Sequence, residues 1–594
     1  MAEESRCFFE KNMQALSARD PALCAALRAA RTEAAAQKAA GKGSPEYRFL
    51  RAATGEAVPA LPGPGGAARP LHSLANPKRE AERLAAAEAG GGAHGGAHSG
   101  ARGAGFFAFL GLGAGFAPMA ALALPGAGGA LAIEYGMAGA AELLSALDYS
   151  ALFGDPRFSL LVDPPPALVE SAVLGLYLPA LCGGIKALPL RARVERDREK
   201  FAAAGEAARR AIARVSADYS VQAHFGERWL ANIARNVAAY ESLRLGKRAP
   251  EAPDAAVCAA GPSLDAQIPI LLERRKKGGG PFVISADTAL PALAAQGLRP
   301  DAVVSIDCQR ISLLHFAGMD CRAIPLFLDI ASPPELAALS DRVFFFAGAH
   351  PLARHLCAKW APLPALDASG GSVAHACLSL AESLGAKRIA VCGADFSYPG
   401  GRIYARGSYV FPFFERRQSR LATLEAQASA FLFRAPFLPP EPGAPPSPPG
   451  AGRRYETATL RAYRHSFERK MSEMEAEAAA MPGLGMPLAA AKSPSRAQGG
   501  PPPRFAPARP FAAGPAFLEG YRRGVEALPP MPKGGAGAYM PGLPAEARQA
   551  FATLLPLMAA LRRRSPELAP PDLLEAAKRR CSAEIGKALK AGAR

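Results

Sequence analysis

DAAVCAAGPSLDAQIPILLE, residues 254–273, sets the fold class of this chain. Ala255 to Ala260 is an apolar run of buried-strand length, Gly261-Pro262-Ser263 breaks it, and an amphipathic segment follows. Proline lacks an amide hydrogen and suits a first helical turn, so Pro269 predicts a helix from near Ile268, with PSLD as a tight loop above the strand end. The plan recurs in PFVISADTALPALAAQG, residues 281–297: Asp287-Thr288 stands at the strand-to-helix corner, Pro291 in the first turn and Gly297 at the C-cap. A third strand follows at once and ends in a carboxylate, Asp307.

Pro325 to Ile330 and Val343 to Ala347 are short continuous apolar runs, as buried parallel strands require. In residues 368–396, Gly370-Gly371-Ser372 opens a helix that closes at Gly385, and Ile389 to Cys392 is a strand ending at Gly393-Ala394-Asp395. Strands alternating with helices imply a mainly parallel α/β sheet whose ligand crevice lies at the carboxyl ends of its strands. That edge collects Ser263, Asp287, Thr288, Asp307, Ser372 and Asp395.

Outward from this region, 594 residues exceed what one hydrophobic core serves. Residues 1–190 read as a helical lead-in plus a Rossmann-like domain, 191–250 as a charged helical connector and 251–435 as the central domain. Residues 436–450 carry eight prolines in fifteen, which excludes helix and inner strand, so 436–454 is set apart as an insertion. Residues 455–594 read as a helical C-terminal region with a Pro/Gly linker at 482–515.

Phe106 to Ile133 contains no charged residue, yet its six glycines and two prolines punctuate it as strand, loop, helix, loop, strand, so no membrane span is expected. Gly111, Gly113 and Gly115 follow the first of these strands and Glu134 ends the next, a spacing seen where a ribose is held. The same glycines serve close strand–helix packing in a domain that binds nothing, and that reading is preferred. His72 is expected to be structural, and His94 and His98 in the Gly-rich tract are too isolated for a metal site.

The formal charge is +18, but Glu567, Asp572, Glu575 and Glu584 are interleaved with the basic clusters at 562–564 and 578–580. No stacking-aromatic or finger motif accompanies the charge, so no nucleic-acid partner is expected. The ten cysteines form no C-x-x-C pair and read as small core residues in a reducing compartment; with the charged N-terminus this points to a cytoplasmic protein without a metal centre.

The blocks AAGPSLD (259–265), SADTALPAL (285–293) with GLRPDAVVSID (297–307), GGSVAHA (370–376) and CGADFSYPGGRIYARG (392–407) resemble, in order and spacing, the central domain of the motility-associated (Maf) flagellin glycosyltransferases. That domain is shared with 6-hydroxymethylpterin diphosphokinase MptE-like proteins. Trp229, Asn232 and Asn236 resemble the family's W-x-x-N-x-x-x-N helix, so the likeness covers roughly Ala217 to Tyr463. Where the family has glycine in the first block, this chain has Ala259 or Ala260.

The resemblance implies a central sialyltransferase-like parallel domain that moves a pseudaminic- or legionaminic-type nonulosonic acid from a CMP-activated donor to Ser or Thr of flagellin. The donor is then a substrate, and no cofactor is firmly implied. The leaving phosphate would be met by backbone around Gly261, Pro262 and Ser263, by the helix start at Gly371-Ser372, and by Tyr404 or Arg406, while the corner Asp287-Thr288 belongs to the rest of the donor-binding site. Asp307 and Asp395, or His350 or His355, are candidates for the base that takes the acceptor proton, although for each histidine a structural role is preferred. Two other readings stand beside this one. In a pterin diphosphokinase Asp307 and Asp395 would hold Mg²⁺ across ATP phosphates; in a non-catalytic flagellin-binding protein the site would have decayed.

Overall fold

A computed structural model describes residues 2–42, 44–63, 67–90, 103–348, 350–368, 370–442, 446–448, 452–489, 504–532, 539–540 and 542–592. His94 and His98, and parts of the Pro-rich insertion and of the 482–515 linker, lie outside these residues. The chain forms two compact units, one of Met1–Glu227 with Val525–Arg580, the other of Arg228–Gly524 with Cys581–Arg594. The helix Arg198–Ala238 contributes to both, as does Pro570–Gly592.

The first unit has a small antiparallel sheet of β1 (Arg48–Arg51), β2 (Ala57–Pro62) and β3 (Ala68–Pro70). Its second sheet joins β4 (Ala104–Leu110), β5 (Gly129–Glu134), β6 (Phe158–Val162) and β7 (Gly184–Pro189) in the order β6-β5-β4-β7, all parallel. The uncharged stretch folds as the glycine punctuation predicts, with the helix Phe116–Ala123 between β4 and β5. Among the described residues no helix is long and apolar enough to cross a membrane.

The second unit is built on a seven-stranded, wholly parallel sheet: β8 (Asp254–Cys258), β9 (Phe282–Ala286), β10 (Ala302–Ser305), β11 (Leu326–Asp329), β12 (Val343–Phe346), β13 (Arg388–Cys392) and β16 (Glu477–Ala480). Their order is β12-β11-β10-β9-β8-β13-β16. Strands β10, β11 and β12 are buried at every residue, and β8 and β9 at all but their first, which is why they read as apolar runs. A short antiparallel pair, β14 (Tyr398–Pro399) with β15 (Arg454–Tyr455), and the helices Val410–Glu415 and Leu424–Leu432 form a satellite around buried Ile403, Val410 and Phe414.

Three features differ from the reading of the sequence. The first helix starts at Leu264, with Ser263 at its N-cap position and Pro269 inside it. Leu264, Ile268 and Leu271 all face the core, and burying that stripe outweighs the one backbone hydrogen bond Pro269 forgoes. Beyond residue 455 the chain is mainly helical, yet Glu477–Ala480 pairs with β13 as an edge strand, a tertiary pairing that local preference does not announce. Part of the supposed linker is a plug: Phe505 is buried, with its ring edge-on to Phe327 at 5.0 Å between centroids. In the first unit the tail's basic clusters are largely paired, for Arg564 and Arg580 both reach Glu227 and Lys578 reaches Glu575.

Candidate functional site

Because every strand of the large sheet runs the same way, all their carboxyl ends lie on one edge. Gly261, Pro262 and Ser263 follow β8, Asp287 and Thr288 follow β9, Asp307 follows β10, and Asp395 follows β13. The helix Val373–Ser383 packs on the sheet and leads directly into β13, so it runs antiparallel to the strands and brings Gly371 and Ser372 to the same edge.

At the β8–β13 end this edge is closed by its own hydrogen bonds. The Asp395 carboxylate accepts the Ser263 N–H at 2.8 Å, the Ser263 hydroxyl, and the Gly485 N–H at 2.9 Å. Gly261 donates to Gly393 O at 2.8 Å, and a Cβ at Gly261 would strike the Asp395 carboxylate. Burial pushes the Asp395 carboxyl up, against the pull of these donors. Asp395 is thus a buried anchor for the loop rather than a free base, and the Gly261 and Ser263 N–H groups are spent within the protein.

The β9–β10 end is different. Asp287 is fully buried and accepts the Thr288 N–H at 2.6 Å and the Ser305 hydroxyl at 2.7 Å. His315, from the 3-10 segment Arg310–His315, brings Nδ1 to 3.4 Å from Asp287 Oδ2. The Tyr409 ring covers the imidazole with centroids 4.5 Å apart, and Tyr404 packs on Tyr409. Asp307 stands at the next strand end, accepting the Gln309 N–H at 2.9 Å; burial raises its carboxyl, and the Asp287 charge adds to that. Burial also holds the Tyr404 and Tyr409 phenols up, so both stay O–H donors, while Arg434 contributes positive charge towards them from an exposed position.

Ser372 Oγ is buried without a hydrogen-bond partner at the start of the 373–383 helix. Its neighbour Gly371 has φ +73° and packs on the Tyr463 ring, a contact with no room for a Cβ. Arg406 lies apart from the cluster: its side chain is 88% exposed, and its backbone N–H donates to Asp265 at 2.9 Å. His350 stacks on Trp229 at 5.3 Å, and burial lowers it to about 4; His355 packs against Phe517 and Tyr521, and burial lowers it too. One nitrogen of each is also buried without a partner, but the charges acting on them are the cations Arg354 and Lys359, whereas His315 faces a carboxylate.

The shared Mg²⁺ site fails on distance. Asp307 and Asp395 follow β10 and β13, with β9 and β8 between them, so three strand spacings separate them by about 14 Å. Among the described residues no group of three His, Cys, Asp or Glu side chains is placed to hold a metal ion.

His315, Arg434 and Asp329 carry no signal in the sequence that marks them for a site. Asp329 ends β11 and accepts the Ala331 N–H at 2.7 Å. Asn232 and Asn236, one helical turn apart, act as clips: Asn232 donates to Cys308 O and Ala331 O, Asn236 to Ile330 O and Ser332 O, all at 2.8–2.9 Å. They fix the backbone beyond β10 and β11.

The Gly-rich loop of the first unit is filled. Glu134 is buried and bonds Arg193 Nε at 2.7 Å, the Leu112 N–H at 2.8 Å and the Tyr135 N–H at 2.9 Å, leaving nothing for a ribose. His72 Nε2 accepts the Ala114 N–H at 2.9 Å, and a Cβ at Gly113, where φ is +54°, would strike His72.

Residues 227–401 match the family described as 6-hydroxymethylpterin diphosphokinase MptE-like. Two uncharacterised proteins of Treponema pallidum (strain Nichols) are similar: one is 34% identical over 137 residues, 23% of this chain and 45% of the relative, the other 31% identical over 181 residues, 27% and 46%. The chain thus spans less than half the length of these curated relatives. The solved Maf glycosyltransferase of Magnetospirillum magneticum AMB-1 superposes with a TM-score of 0.54 over 99% of this chain and 95% of that one, at 14% identity. The chain has that fold, with an MptE-like region at its centre.

Proposed function

We propose that this chain, built on the fold of a Maf glycosyltransferase, is itself a glycosyltransferase that moves a nonulosonic acid of pseudaminic or legionaminic type from a CMP-activated donor to Ser or Thr of a protein acceptor, flagellin. The observation that carries the reading is the polar cluster of buried Asp287 and His315 with half-buried Asp307, Tyr404 and Tyr409 at the ligand edge of a parallel sheet. The anomeric carbon of such a sugar bears its own carboxylate, so the developing oxocarbenium needs little further anionic help. The departing CMP carries a phosphate monoester charge, which the Tyr404 and Tyr409 hydroxyls, Arg434, and the Ser372 hydroxyl at its helix start suit chemically. Fixed donors of this kind meet the charge without a metal.

Calorimetry of the full chain against CMP, ATP and UDP, with Mg²⁺ and with a chelator, tests the reading. CMP is expected to bind with the chelator present. Binding of ATP only with Mg²⁺, together with no binding of CMP, overturns the transferase in favour of the diphosphokinase.

A further inference from the structure

Transfer to a hydroxyl requires a base, and the inference drawn here rests on the glycosyl-transfer reading above. His315 is 4% exposed, and neither ring nitrogen has a hydrogen-bond partner. Unmatched polar groups are rare inside folded proteins, and a leucine in this position would pack without that cost. What surrounds the ring is also unlike a structural pocket. Asp287, locked by Thr288 and Ser305, faces Nδ1; Asp307 stands at the adjacent strand end; Tyr409 packs on the ring, Tyr404 packs on Tyr409, and the Arg434 charge acts on both phenols.

We propose that His315 is the proton acceptor of the transfer, with the Asp287 carboxylate 3.4 Å from Nδ1 favouring the Nδ1–H tautomer electrostatically, so that the Nε2 lone pair is left for the acceptor hydroxyl. The step balances. The acceptor oxygen bonds to the anomeric carbon, the bond from that carbon to the CMP phosphate oxygen breaks with its electron pair leaving on the phosphate, and the acceptor proton passes to Nε2. The resulting imidazolium is steadied by Asp287 and Asp307. Nε2 is buried beneath Tyr409, so the segment carrying Tyr409 must shift for the hydroxyl to reach it.

The test uses the full chain with CMP-pseudaminic and CMP-legionaminic acid as donors, reading CMP release to water and to flagellin across pH. The wild type is expected to lose turnover towards acid, where a protonated imidazole accepts no proton. His315→Gln should lower kcat by about 100- to 10,000-fold and abolish that acid limb, while binding CMP within about threefold of the wild type. Asp287→Asn should fall between them. A His315→Gln variant whose turnover and pH profile match the wild type overturns the inference and leaves the transfer reading standing. If His315→Gln fails to fold, a wild-type profile that stays flat towards acid overturns it, and one that falls supports it. A wild type that releases no CMP from either donor overturns the transfer reading and this inference with it.

Discussion

Asp395 accepts the Ser263 N–H at 2.8 Å, and through this contact the loop after β8 is tied to the loop after β13. The same carboxylate takes the Ser263 hydroxyl and the Gly485 N–H, so three donors depend on one side chain. Asp395→Ala strands those donors in a buried place. The expected loss is about 3 kcal/mol of folding stability, read as a lowered urea midpoint with an unchanged m-value. Asp395→Asn keeps one acceptor oxygen and should lose less. A variant with full stability but no turnover would return Asp395 to the role of base.

Asn232 and Asn236 make the β10 and β11 loops rigid from outside the sheet. Each amide satisfies two buried carbonyls. Asn236→Ala should cost about 1–3 kcal/mol by thermal or urea unfolding and speed hydrogen exchange of the amides around 330–332, and the double variant with Asn232→Ala should lose more than either. Exchange confined to the helix, with those loop amides as protected as in the wild type, would contradict the clip.

The first unit is expected to bind neither a dinucleotide nor S-adenosylmethionine, since Glu134 is committed to Arg193 and His72 abuts the Gly113 turn. Titration of either compound should give no heat. Glu134→Gln removes one carboxylate from buried Arg193, which keeps Asp197, and should cost about 1–3 kcal/mol. Saturable binding of either compound that vanishes in Glu134→Gln would restore the ribose role.

How far the site could be read in advance depends on the kind of information each residue carries. Asp287, Asp307 and Asp395 end strands, and the βα alternation places them on one edge without further knowledge. Which carboxylate is free is set by tertiary contacts: Asp395 is occupied by Gly485, which follows it by 90 positions. His315 sits in SLLHFAG, a short apolar stretch with no neighbouring chemistry, and its approach to Asp287 arises only from the packing of a 3-10 turn. Pro269 misled for a related reason, because local preference marks a helix start while the buried stripe of Leu264, Ile268 and Leu271 decides where the helix begins.

The last prediction concerns Asp329, at the end of β11. Burial pushes its carboxyl up to about 7 from an ordinary 3.8, although the Ala331 and Gly348 N–H groups pull it down. Between those two values the folded protein holds a proton that the unfolded chain has released. The stabilising contribution is therefore complete below the unfolded value and is lost as pH rises through the folded one. About three pK units correspond to roughly 4 kcal/mol at most. Other carboxylates titrate in the same range, so the informative quantity is the difference between the wild type and Asp329→Asn, which is neutral throughout and keeps one acceptor oxygen. Urea unfolding of both at intervals from pH 4.5 to 7.5 should show the variant gaining on the wild type by about 2–4 kcal/mol as pH rises. Parallel profiles would mean that Asp329 is ionised in the fold across this range, sustained by its two backbone donors.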